Sequence, residues 1–255
     1  MPDLSKLLAI GLVGWWLGLG VAEAARRLPI ANRYDGWVSV EPRRWPGDRT
    51  SGQAGPPLPP QRPQNTGEAQ PDAIELCLAD LAQNGIFAQR GTVPPAPPGT
   101  DCGIEQPVNL MTVASENGAI RIAGEPLLAC PTAKAFGGFI REIVAPLAKG
   151  AQGSPLKSIS VGGGYECRPR NHVAGAKPSA HGRGLAIDVM SFTFADNRQL
   201  SVKDDAATPF IRAVRTAACG VFTTILGPGS DAAHATHLHL DLERHGSSDR
   251  YRICD

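Results

Sequence analysis

Two stretches carry the residues best suited to chemistry. His181 and Asp188 lie in Ser179-Ala180-His181-Gly182-Arg183-Gly184-Leu185-Ala186-Ile187-Asp188. About fifty residues later comes His234-Ala235-Thr236-His237-Leu238-His239-Leu240-Asp241, with an imidazole pair on alternating positions. Two histidines and one carboxylate make a tripod that holds a zinc ion and leaves a fourth position for water, which separates a catalytic zinc site from a closed structural one. Four of the six histidines fall in these stretches. The chemistry they point to is zinc-dependent hydrolysis. Each piece alone is weak, since a lone His or Asp beside a Gly-rich loop is ordinarily a cap or a hydrogen-bonded surface group. His-x-His on a strand says more, because side chains two apart share a face and can address one site. Both pieces together, on two small-residue strands able to lie side by side with polar faces joined, favour a metal site.

Those groups need a scaffold, and the pattern supplies one. Ile74, Cys77, Leu78 and Leu81 recur at helical spacing, with Gly85 as the stop. Thr92–Pro98 reads as a loop, and Val108–Val113 and Ala119–Ile122 as strands around an Asn117-Gly118 turn. Phe136, Phe139, Ile140, Ile143, Val144 and Leu147 form one stripe of a helix over Thr132–Leu147, closed by Pro146 and Gly150. Lys157–Tyr165 and Gly184–Phe192 read as strands, the second with Ile187 and Val189 on one face and Asp188 on the other. Thr208-Pro209 starts a helix with a cap and a first-turn proline. Val221–Leu226 and Thr236–Leu242 are the last strands, a hairpin. In the latter Leu238, Leu240 and Leu242 go inward, so His237, His239 and Asp241 share the other face, where Asp241 reads as a partner orienting an imidazole or, the favoured reading, as a solvated strand-end charge. His172 and His245 have no supporting neighbours and read as surface residues. The expected architecture is α+β: a small, mostly antiparallel sheet with packed helices, stabilised by disulfides.

The six cysteines, Cys77, Cys102, Cys130, Cys167, Cys219 and Cys254, form no CxxC pair. An even set in an exported chain reads as three disulfides. A helix returning antiparallel to the next strand brings Cys130 towards Cys167, and the last hairpin brings Cys219 towards Cys254, which leaves Cys77 with Cys102. Export is suggested by residues 1–25: Lys6, an apolar run from Leu7 to Val21, then Ala22-Glu23-Ala24, the pattern of a signal peptide or, uncleaved, a membrane anchor. Residues 26–70 are rich in Pro, Gly, Gln and Arg and read as a disordered tether. The folded domain is expected over 71–255, in the periplasm or cell envelope. A net charge of +1 gives no basic field for nucleic acid.

The ordered motifs SxHxxGxAxD and HxH resemble the zinc peptidases grouped with lysostaphin, the D-alanyl-D-alanine peptidases and the murein endopeptidase. With Gly164-Tyr165-Glu166-Cys167-Arg168-Pro169-Arg170-Asn171, Ala218-Cys219 and Leu226-Gly227-Pro228-Gly229, the stretch from about residue 72 to 255 is more closely similar to the bacterial extensin-like C-terminal domain family. The resemblance implies that Zn2+ is held by His181, Asp188 and His239, and that His237 is the non-ligand histidine handling the proton. It also implies that Arg168 meets the scissile carbonyl, and that His234 is a further active-site histidine. Arg168 equally fits a structural salt bridge beside a disulfide. The implied activity is hydrolysis of an amide bond in peptidoglycan peptides or cross-links. The alternative is a catalytically silent cell-wall-binding or scaffold domain of the same fold. One departure stands out: members of the family commonly read Ser-Glu-His where this chain has Ser179-Ala180-His181, which touches rate more than chemistry.

Overall fold

The computed structural model describes residues 72–246 and 251–255. The expected leader and tether lie outside the described residues. Helix α1 (Ala73–Gln83) starts at Asp72, whose carboxylate accepts from the Glu75 N–H, and buries Ile74, Cys77 and Leu81. Strand β1 (Ile86–Arg90), not foreseen from the pattern, pairs with β2 (Pro107–Ser115), which makes the expected hairpin with β3 (Gly118–Ala123). Ser115 faces Gly118 across that hairpin, so its turn is Glu116-Asn117, one residue earlier than the sequence suggested. Strand β4 (Leu127–Ala129) lies on β2 and leads straight into α2 (Cys130–Phe139).

The expected helix from Thr132 to Leu147 is longer and interrupted. After α2 a wide π turn spans Ile140–Val144, and α3 (Ala145–Gln152) continues to a left-handed cap at Gly153. Ala145 donates to Ile140 O, five residues back. Pro146, which has no N–H to donate, follows directly on this wide turn at the start of α3 and does not close the helix.

Strand β5 (Leu156–Gly163) returns parallel to β3 and antiparallel to β6 (Ala186–Phe194). Then follow β7 (Gln199–Ser201), the single turn α4 (Val202–Asp205), α5 (Pro209–Ala218), β8 (Thr224–Leu226), β9 (Leu238–Asp241) and β10 (Ile253–Cys254). The sheet runs β1-β2-β3-β5-β6-β9-β8-β10, with β4 on β2 and β7 on β6. Only β3 with β5 and β8 with β10 are parallel, so these ten strands are a mostly antiparallel sheet, as expected. The core joins the helices to it: Phe136, Phe139 and Ile140 meet Ile187, Val189 and Leu240 in one buried cluster with Phe210 and Phe222. A bulge on β6, where Ser160 and Val161 face Ser191 and Val189, inserts Met190. It shifts the inward parity from Ile187 and Val189 to Phe192 and Phe194, both buried.

Three disulfides form, and two of the expected pairings are corrected. Cys219–Cys254 holds, but Cys77 joins Cys130 and Cys102 joins Cys167. Helix α1 packs on α2, so Cys77 on its buried face meets Cys130 at the first residue of α2. β5 ends at Gly163, and beyond it Cys167 meets Cys102 in the loop before β2. An oxidising compartment is where three such bridges persist. Among the described residues no helix is long and apolar enough to cross a membrane.

Candidate metal centre

Sheet register places two of the expected ligands. Asp188 on β6 pairs directly with His239 on β9, so both side chains leave the same face between neighbouring strands. The other face of these strands carries Ile187, Val189, Leu238 and Leu240, all buried. The third residue comes from a turn. His181 lies in a short 3-10 turn (Ala180–Arg183) just before β6, whose entry is capped by Ser179. Gly184 ends the turn at φ +64, and a Cβ there would come within 2.7 Å of Ala129 N, so the position needs glycine on both counts.

The three side chains converge. His181 Nε2 is 3.2 Å from His239 Nδ1 and 3.3 Å from Asp188 Oδ1, and His239 Nδ1 is 3.0 Å from the same oxygen. Ligands about 2.0–2.1 Å from a tetrahedral zinc ion are separated by about 3.3 Å, so these gaps are those of three corners of such a site. The far side of each ring fixes which atom points inward. His181 Nδ1 is 2.6 Å from Gly164 O, which can only accept, so that nitrogen carries the hydrogen. His239 Nε2 is 3.0 Å from Asp241 Oδ2. Nε2 of His181 and Nδ1 of His239 are therefore left facing one another and Asp188, the arrangement of ligating imidazoles oriented by outer carbonyl and carboxylate groups.

Asp241 is thus not the solvated strand-end charge that the pattern suggested. It is buried, accepts from the Glu243 N–H at 3.0 Å, and holds the His239 ring. Burial opposes the charge of Asp188, yet its hydrogen bonds with His181 and His239 outweigh that and hold the carboxyl far below the ordinary carboxylate range. Burial likewise opposes a charged His239, but Asp188 and Asp241 outweigh it and push the imidazole up to about 9. A proton and a metal cation are alternative occupants of the same gap.

His237 precedes β9 by one residue, and its Nε2 is 3.5 Å from Asp188 Oδ1. Burial, helped by the imidazoles of His234, His239 and His181 and offset only in part by Asp188, lowers its pKa and keeps it neutral. His234 is buried, with its ring centroid 5.3 Å from that of His237 and 5.4 Å from that of His239. Asp231, which sequence reading passed over, takes both the His234 N–H at 3.0 Å and its Nδ1 at 2.7 Å. Its signal was available as a cap-type residue three before a histidine.

Arg168 stands apart from the three converging groups. Its Nε donates to Glu166 Oε2 at 2.7 Å, the salt bridge beside a disulfide that the sequence also allowed. It nevertheless shares the wall of a cleft of about 120 Å³ with Ala180, His234, His239 and Asp241. His245, expected at the surface, lines that cleft too and is half-buried, its Nε2 2.7 Å from the Thr224 hydroxyl, while His172 is exposed as expected.

What the arrangement can do chemically is bind a divalent cation through two nitrogens and an oxygen, with a neutral imidazole beside it. Zinc accepts that donor set, and the three residues that the resemblance implied as ligands are those whose ligand atoms lie within 4.8 Å of one another. No curated protein and no solved structure matches the chain. A family model does, over residues 75–255, which spans all three disulfides and every residue of the candidate metal centre, and the chain belongs to that family, described as Extensin-like protein C-terminus.

Proposed function

We propose that the domain is an exported zinc metallopeptidase that hydrolyses an amide bond in peptidoglycan peptides or cross-links. The observation that carries the reading is the convergence of His181 Nε2, His239 Nδ1 and Asp188 Oδ1 at tetrahedral spacing, each ring held from behind by an acceptor. A zinc ion held there supplies polarisation of a substrate carbonyl and a water acidic enough to ionise near neutral pH. His237, neutral and beside Asp188, takes the proton from the attacking water and returns it to the leaving amine. Arg168 and His234 line the adjoining cleft, where a cationic or N–H donor meets charge developing on the carbonyl oxygen. Asp231 keeps the His234 ring in one orientation. The wall substrate is supported by the motif's resemblance to zinc peptidases that cut such peptides, and by disulfides suited to an exported protein.

The deciding experiment incubates the purified protein, with and without zinc, with whole sacculi and resolves the products by mass. Zinc-dependent release of peptides with a new amino and carboxyl end is expected. Metal uptake without any cleavage leaves the silent wall-binding domain, the reading to which Ala180 lends weight.

A further inference from the structure

The turn that carries His181 has contacts unlike those of the two strand ligands. On one side it leans on the segment after β5: His181 Nδ1 donates to Gly164 O at 2.6 Å, Glu166 N–H to His181 O at 3.3 Å, and Ser179 N–H to Arg168 O at 3.0 Å. On the other it meets the loop before β2, where Gly103 N–H donates to Gly182 O at 2.8 Å. A Cβ on Gly182 would sit 3.0 Å from Cys102 Sγ and 3.8 Å from Cys167 Cα, so the sulfur bridge lies directly against the turn. Residues 92–106 form no helix or strand, and most of 92–101 are exposed. Cys102–Cys167 is the covalent tie between the two flanking segments. Both of its cysteines are half-buried, within reach of a small reductant, whereas Cys77 and Cys130 are buried beneath the helices. Cys219–Cys254, whose Cys254 is exposed and so equally open to a reductant, secures the C-terminal strand on β8 and not the turn of His181.

We propose that Cys102–Cys167 is a thiol-sensitive clamp that positions His181, so that opening it loosens the metal centre while the fold persists. The proposal rests on the metal reading above. A dithiol attacks one sulfur, forms a mixed disulfide and closes on itself; it loses two electrons and two protons, and Cys102 and Cys167 become two thiols. The turn then keeps its backbone hydrogen bonds but loses the bridge that holds its two supports together. Loss of groups that orient a ligand typically costs 10–100-fold in metal affinity, and a fall of that order is expected here.

The test uses the full chain with Cys102→Ser/Cys167→Ser, and Cys219→Ser/Cys254→Ser as reference. Zinc affinity is measured by competition with a chromogenic chelator, and hydrogen exchange is followed at residues 180–185. The first variant should bind zinc about 10–100-fold more weakly and exchange faster at the turn, with β6 and β9 unchanged; the reference should match the parent on both counts. Parent-like affinity and exchange in the first variant overturns the clamp. A parent that takes up no zinc sinks the metal reading, and with it the metal role of the clamp, while exchange at the turn separately decides whether the bridge holds it. Should the first variant not fold, graded dithiothreitol on the native protein replaces it, the opened pair being identified by alkylation and mass. Zinc release that tracks labelling of Cys102 and Cys167 supports the clamp, and labelling without release overturns it.

Discussion

The two sides of the candidate metal centre are built on different principles. Asp188 and His239 stand opposite each other in adjacent strands, so ladder hydrogen bonds and the apolar residues beneath them set their separation. His181 comes from a 3-10 turn whose supports are irregular segments joined by a disulfide. A strand pair positions side chains through periodicity and burial, which a one-residue slip would disrupt along the whole face. A turn has no such redundancy and relies on individual bonds. The site is therefore expected to be stiff on its strand side and adjustable on its turn side.

Removing the ligands outright should have the largest effect. His181→Ala, Asp188→Ala and His239→Ala should each emerge from dialysis metal-poor. His237→Ala should keep its metal and lose roughly 10²–10⁴-fold in turnover, the usual contribution of a general acid–base group. Metal analysis beside a peptide-release assay separates the two behaviours. An emptied His237→Ala beside a loaded His239→Ala would reverse their roles.

The strand side can be broken from behind. Leu240 lies under His239 on the core face of β9 and is 1 % exposed. Leu240→Ala should cost about 2–5 kcal/mol of stability through lost burial and the cavity left behind. Denaturant melts read that loss. A change well under this range would show that β9 contributes less to the core than its burial implies.

A smaller effect sharpens the orientation of His239. Asp241→Ala removes the acceptor behind its ring and should weaken metal binding about 10–100-fold, whereas Asp241→Asn keeps a carbonyl oxygen there and should lose less. Chelator competition distinguishes them, and equal affinities for both variants and the parent would remove Asp241 from the site's support.

The smallest effect is a pH slope. Since His239 in the metal-free protein is raised to about 9 while Asp188 stays ionised, metal binding must displace a proton below that pH. Affinity should rise up to about tenfold per pH unit through neutrality and flatten near pH 9; calorimetry in buffers of different protonation enthalpy counts the proton. The sign for metal-free stability is opposite. A folded-state value above the unfolded value of about 6.5 stabilises the protein fully below pH 6.5, and that contribution fades as pH climbs through about 9.

Much of the site was legible because its signals are local. Alternation puts Leu238 and Leu240 inward and His239 outward, and the same parity puts Asp188 opposite Ile187 and Val189, whatever else the chain does. Long amphipathic elements such as α1 and α5 were legible for the same reason. Short strands were not: β4, β7 and β10 have two or three residues each, too few for a period to declare itself. Nor was the bulge at Met190, because one extra residue on one strand is meaningful only against its partner.

Residue type and spacing thus pointed by themselves to a cation site among His181, Asp188 and the His237/His239 pair, to an α+β domain, and to bridges among its six cysteines; the choice of His239 came with the family resemblance. Which cysteines join, and so what supports His181, only the tertiary structure decided. The packing of α1 on α2 claims Cys130 for Cys77, and the turn after Gly163 carries Cys167 to Cys102. The burial of Asp241 and the acceptors that orient the His181 and His239 rings were settled there as well. Each depends on groups distant in sequence meeting at hydrogen-bond range, and no local period records such a meeting.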